Sequence, residues 1–222
     1  MSRSPKLLAC DCCGGTSSTL TDLSEGMSEE AHTIRRVGFT LLYETCAPIP
    51  IPYLADRVGY TPGQVEAILA GPELAGRSKR DRNGSLTGIA GLSIEPTSHA
   101  IQLDGRDLWT WCAFDAVGIL AALEATATIH SKTPTSTSPL DIRFVKGISE
   151  TEVVLFILEG FDPRSSLETW CPSVNFFPTT ESAEQWVREN GMSGDIIPID
   201  QITGNAARVW KPVVSELHQT QI

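Results

Sequence analysis

The chain has 222 residues, a hydrophobic content of 41% and a formal net charge of -10 at pH 7. That length allows one large domain or two small ones, and the composition supplies enough apolar residues for a packed core, so disorder is not the default. The acidic balance argues against nucleic acid as the main partner, and no apolar run approaches the ~18 residues of a membrane span.

Residues 1–26 read as a Gly-, Ser- and Thr-rich arm carrying Cys10, Cys12 and Cys13. Three clustered thiols suit capture of a soft metal; the plain alternative is an idle tail that contains cysteines. The basic start, Met1 to Cys10, has too short an apolar patch for a secretory signal, so a cytoplasmic location with reduced thiols is expected.

A helix is predicted from Ser28, as N-cap, to Thr45, with Glu29 and Glu30 in the first turn and Ile34, Val37, Leu41 and Leu42 on its apolar side. Cys46 follows and reads as a packed core thiol. Prolines 48 to 52 break the chain before a short helix over 53–58. Thr61-Pro-Gly-Gln64 is a capping box with Pro at the first helical position, opening a third helix to Leu69. Two strand-like runs, 89–94 and 99–103, complete a winged-helix-like outline for residues 27–105. DNA binding by this module is disfavoured, because residues 60–76 contain Glu66 and Glu73 but no Lys or Arg. The basic cluster Arg77, Lys79, Arg80 and Arg82, interrupted by Asp81, reads as a solvated loop. A module packed over the rest of the chain is the better reading.

Residues 106–222 read as a mixed α/β core, which makes the whole α+β, with an N-terminal winged-helix-like three-helix module packed on that core. Asp107 is expected to cap a helix over 108–123. Residues 126–139 are rich in Ser, Thr and Pro and read as a loop, followed by strands at 140–145 and 153–158. A polar loop at 161–168 precedes a strand-like run from Cys171 to Phe177. A helix over 182–190 stopped by Gly191, a strand at 195–199 and a last helix capped by Asp200 and ended by Pro212 complete the chain.

The chemistry gathers on the first helix of this core. Cys112 and Asp115 share one helical face. A thiol near a helix start gains thiolate character, and a carboxyl in a pocket walled by Trp109, Trp111 and Phe114 has a raised pKa and can pass a proton. Cys-x-x-Asp alone reads more readily as a buried Cys beside a solvated Asp, since free Cys is often core. Cys171 supplies a second thiol, again directly after an aromatic residue. Two sulfurs and one oxygen suit a soft metal and suit zinc poorly. No His pair sits at zinc-ligand spacing: His32, His99, His130 and His218 are scattered, reading as surface or packing residues.

Trp111-Cys-Ala-Phe-Asp-Ala-Val-Gly-Ile119 and Trp170-Cys-Pro-Ser-Val-Asn-Phe-Phe177 resemble the two signature segments of the organomercurial (alkylmercury) lyases, and weaker similarity runs from about Glu29 to Asp200. The resemblance implies that Cys112, Asp115 and Cys171 form the active site and hold the mercury of substrate and product. It implies protonolytic cleavage of the carbon–mercury bond, giving a hydrocarbon and Hg(II), in mercury detoxification. No organic cofactor is expected; an external thiol is needed for release. The expected partners are the organomercurial, low-molecular-weight thiols and mercuric reductase as acceptor of Hg(II), with no nucleic acid and no membrane. Two positions depart from the family: Ser131 stands where many members carry a structural Cys, and Pro172 where some carry a Cys after the second catalytic one. The rival readings are a thiol-based soft-metal-binding protein and a metal-sensing winged-helix regulator. Asp115 favours chemistry over storage, and the acidic charge speaks against the regulator.

Overall fold

In the computed structural model, which describes residues 26–135, 138–215 and 217, three helices open the chain: α1 (Glu29–Thr45), α2 (Ile51–Val58) and α3 (Pro62–Ala70). Cys10, Cys12, Cys13 and His218 lie outside the described residues. Ser28 caps α1 as expected, its side chain accepting the Ala31 N–H at 3.3 Å, with Glu29 and Glu30 in the first turn. Cys46 is not a core thiol. It is the C-cap of α1, at φ 49, and this left-handed position turns it out to an exposed surface. Helix α2 begins at Ile51 and takes in Pro52, which the first turn tolerates because its missing N–H has no helical partner there. The capping box of Thr61 and Gln64 forms reciprocally at the head of α3.

Eight strands follow in one antiparallel sheet: β1 (Ser78–Arg80), β2 (Leu86–Ile89), β3 (Leu92–Ser93), β4 (His99–Leu103), β5 (Arg106–Thr110), β6 (Ala127–Lys132), β7 (Pro139–Val145) and β8 (Ile148–Ser149). Their spatial order is β1-β2-β3-β5-β4-β6-β7-β8. The expected strand over 89–94 is two strands, split by a turn in which Ala90 and Gly91 both take positive φ. The expected loop over 126–139 contains β6. Its inward residues alternate strictly, but two of them, Ala127 and Ser131, are small, so the period-two signal is weak in the sequence.

The helix expected from residue 108 starts later. Arg106–Thr110 is a strand whose Leu108 and Thr110 point inward, and Asp107 is an exposed strand residue rather than a cap. The helix proper, α4 (Ala113–Ala122), has Cys112 as its N-cap. All ten of its residues are buried, so it has no solvent face, as befits a helix wrapped by other elements. It contacts β4, β5 and the smaller sheet, in which β9 (Val154–Leu158) is flanked antiparallel by β10 (Asn175–Phe177) and β11 (Gly194–Pro198).

Helix α5 (Thr180–Asn190) covers the small sheet, and α6 (Ile199–Val214) lies along α4. Gly118 allows that approach: a Cβ there would fall 2.1 Å from the Trp210 ring. Pro198, not Asp200, is the N-cap of α6, and Pro212 lies inside the helix rather than ending it at Trp210. Among the described residues no helix is long and apolar enough to cross a membrane.

Candidate active site

Cys112 and Asp115 are held by a reciprocal cap at the head of α4. The Cys112 sulfur accepts the Asp115 N–H at 3.4 Å, and the Asp115 carboxylate oxygen Oδ2 accepts the Cys112 N–H at 3.0 Å. A capping box ordinarily uses a hydroxyl and a longer acidic or amide side chain; here a thiol and an aspartate take those places. The next residue, Ala113, donates its N–H to the Val174 carbonyl at 3.1 Å, and Val174 in turn donates to the Cys171 carbonyl at 3.2 Å. These two bonds bring the second cysteine to the head of α4.

Cys171 does not lie in a strand. The polar loop expected over 161–168 winds into a π turn, Ser166–Trp170, then a 3-10 turn, Cys171–Ser173, and only then enters β10. Wide turns of this kind re-aim the residues that follow them. Three contacts fix the turn. Ser166 Oγ donates to the Gly76 carbonyl at 2.6 Å, Leu167 N–H to the same oxygen at 3.3 Å, and Trp170 Nε1 to the Leu158 carbonyl at 2.9 Å.

The outcome is a convergence of three buried side chains. Ligand atoms of Cys112, Asp115 and Cys171 all lie within 4.8 Å of one another, and among the described residues this is the only such cluster of potential metal ligands. All three predicted site residues are therefore brought together. None of the described histidines joins them: His99 is buried and bonds Ser131 Oγ through Nδ1 at 2.8 Å, and His130 pairs with Asp141 on the surface.

The cluster opens into a pocket enclosing about 410 Å³ of non-atom space, part of it open to solvent. Its aromatic walls are Trp111, Phe161, Trp170 and Trp210. Phe114, expected in the wall, lies behind it and packs edge-on against Trp170 and Trp210; Trp109 is not part of the lining. Trp210 is anchored by donating its Nε1–H to the Ala90 carbonyl at 2.7 Å. Gly91, at φ 83, borders Asp115 so closely that a Cβ would fall 2.6 Å from its carboxyl carbon.

Burial governs the protonation of the site. Desolvation pushes Asp115 up to about 6, against the pull of its bonds to Cys112 and of the charges on Arg35 and Arg77. Burial also pushes the Cys112 thiol well above its usual range, and the neighbouring Cys171 and Asp115 act in the same direction. The thiolate character expected from the helix start is thus outweighed by desolvation. At rest the pocket holds Cys112 protonated beside a carboxyl that exchanges protons near neutrality.

Arg35 and Arg77 are site residues that the sequence reading did not single out. Arg35 falls in the buried stripe of α1 with Ala31, Gly38 and Leu42, a helical spacing that could have flagged it. Arg77 is not in a solvated loop: it lines the pocket with its guanidinium carbon 4.9 Å from the Phe161 ring centre. Two others of that basic cluster are engaged elsewhere, Arg80 with Glu66 and Lys79 with Glu95.

A desolvated pocket that aims two thiols and one proton-carrying carboxyl at a common point defines a thiol-dependent protein of soft-metal chemistry. Comparison with known proteins narrows the class. The profile of the MerB family, alkylmercury lyase, matches residues 92–211, more than half of the chain, and the chain belongs to that family. It is 27% identical over 175 residues to an alkylmercury lyase of Streptomyces lividans, covering 77% of each chain. It is 25% identical over 162 residues to one of Pseudomonas putida, covering 71% of this chain and 74% of the relative. The fold matches that of the mercury-bound form of MerB2 with a TM-score of 0.78 at 20% identity, over 89% of this chain and 98% of the other.

Proposed function

We propose that the chain is an organomercurial lyase that cleaves carbon–mercury bonds by protonolysis at Cys112, Asp115 and Cys171. The observation that carries this reading is the convergence of two buried sulfurs and one carboxyl within 4.8 Å, at an aromatic-walled pocket open to solvent.

The substrate arrives as R–Hg–X, where X is a thiolate. One protein sulfur displaces X, which leaves with that thiol's proton. The second sulfur then binds mercury, and its proton passes to Asp115. A mercury ion held by two thiolates pushes electron density onto its remaining carbon ligand, and Asp115 delivers its proton there. R–H departs, and Hg(II) stays on Cys112 and Cys171 until an external thiol removes it. Both original thiol protons are accounted for, one on HX and one on R–H, so the cycle needs no organic cofactor and no oxidant. An Asp115 pKa near 6 suits a group that must both accept and give a proton.

Within this reading, residues 27–105 serve as a winged-helix-like cover on a catalytic core of residues 106–222, supported by Arg35, Arg77 and Gly91 lining the pocket from that side. The arm of residues 1–26 captures mercury, low-molecular-weight thiols accept the product, and mercuric reductase takes it onward in the cytoplasm, as part of mercury detoxification. The direct test is incubation with methylmercury and excess 2-mercaptoethanol, followed by headspace analysis. Stoichiometric methane is expected; folded protein that yields none refutes the reading.

A further inference from the structure

The mechanism above uses Arg35 and Arg77 only through their charges, which favour the ionised form of Asp115. Arg35 is 5% exposed, and its Nε is buried with no hydrogen-bond partner. Among the described residues neither guanidinium makes an ion-pair contact; that of Arg77 lies over the face of Phe161, and Asp115 acts on both through its charge alone. A buried guanidinium with no hydrogen-bonded partner is costly; Arg77 disfavours the charge on Arg35, and the single charge of Asp115 favours it. Both line the same pocket as Asp115 and Cys171.

Charge counting shows that the reaction does not satisfy them. Two thiolates holding R–Hg(II) carry a single negative charge in sum, and a protonated Asp115 carries none. Two guanidiniums against that single charge leave the loaded pocket positive. An anion on the ligand would balance it, and a planar carboxylate matches the guanidinium fork. The aromatic walls Trp111, Phe161, Trp170 and Trp210 suit a flat group attached to that carboxylate.

We propose that Arg35 and Arg77 form a carboxylate-binding subsite, and that the chain discriminates in favour of mercury compounds bearing a carboxylate. The carboxylate belongs either to the organic group or to the thiol that accompanies mercury. Only the mercury part rests on the lyase reading; carboxylate binding stands without it.

The first experiment needs no cleavage. Benzoate and benzamide are titrated into the parent protein while the fluorescence of the pocket tryptophans is followed. Benzoate should bind at least tenfold more tightly, about 1.4 kcal/mol, and this preference should vanish in Arg35→Met and Arg77→Gln. Equal binding of the two probes by the parent overturns the subsite.

The second experiment compares kcat/KM for 4-carboxyphenylmercury and phenylmercury, each presented with 2-mercaptoethanol or with mercaptoacetate. A roughly tenfold preference for the carboxylated aryl with 2-mercaptoethanol assigns the carboxylate to the organic group. A preference that appears only for phenylmercury with mercaptoacetate assigns it to the thiol. In either case Arg77→Gln should bring the ratio close to one, and Arg35→Lys should retain part of it. Loss of rate by the same factor in all four combinations, with the parent ratio intact, would show that the arginines serve the thiolates and Asp115 instead. Arg77 is only half-buried, so Arg77→Gln decides the matter even if Arg35→Met does not fold.

Discussion

Asp115→Asn separates the two consequences of placing a carboxyl in a dry pocket. Burial raises its pKa from 3.8 to about 6, which is roughly two units. At 1.36 kcal/mol per unit, ionising Asp115 in the folded state costs on the order of 3 kcal/mol. The sign follows from proton binding. Between pH 4 and pH 6 the folded protein holds a proton that the unfolded chain has released, so stability from this group is full at low pH and lost as pH rises through about 6. Asparagine imitates the neutral acid and can still accept the Cys112 N–H. Urea unfolding of parent and variant at pH 4 and pH 8 should therefore show the variant gaining about 3 kcal/mol relative to the parent at the higher pH. The same variant has no acidic proton to deliver, so hydrocarbon release in a single turnover should fall by about a hundredfold or more while organomercurial binding persists. A stability difference that does not change with pH would refute the buried-carboxyl argument. Parent-rate hydrocarbon release would remove Asp115 from the role of acid.

Further outcomes follow from the same geometry. Cys112→Ser and Cys171→Ser should each lower turnover by about a thousandfold or more, because one sulfur cannot both hold mercury and activate the carbon; circular dichroism should show an intact fold, and normal hydrocarbon release by either would sink the site. Gly91→Ala puts a methyl against the Asp115 carboxyl at a backbone angle that costs about 1–2 kcal/mol, so both melting temperature and single-turnover rate should drop; unchanged kinetics would mean that Asp115 has room to move. Deleting residues 1–20 should leave single-turnover chemistry intact and slow only capture at low mercury, which stopped-flow mixing against mercury concentration can check.

The site was legible where chemistry and spacing coincide. The three-residue spacing of Cys112 and Asp115 placed them side by side, although the structure makes them the N-cap and N3 residues of α4 rather than neighbours on a helical face. Reading Leu108 to Thr110 as helix failed because inward Leu108 and Thr110 alternate over too few residues to announce a strand before the helical pattern begins. Strand β6 was hidden for a related reason: small inward residues give little hydrophobic contrast. The helical spacing of Arg35 could mark it as buried, but that Arg35, Arg77 and Trp210 share one pocket was illegible for a deeper cause. Each comes from a different element, and only long-range contacts such as Trp210 with Ala90, or Ser166 with Gly76, bring their neighbourhoods together. No local pattern encodes such meetings.

The cap at the head of α4 has an evolutionary consequence. A serine hydroxyl can occupy the same position and accept the same N–H, and serine is a favoured residue there. A single replacement of sulfur by oxygen at Cys112 would thus leave the helix start and the surrounding core with nothing to repair. Descendants of such a chain could drift away from mercury while keeping every element in place, free to recruit the aromatic pocket and its arginines for other ligands. In such a chain the fold would outlast the activity, which depends on both sulfurs and the carboxyl.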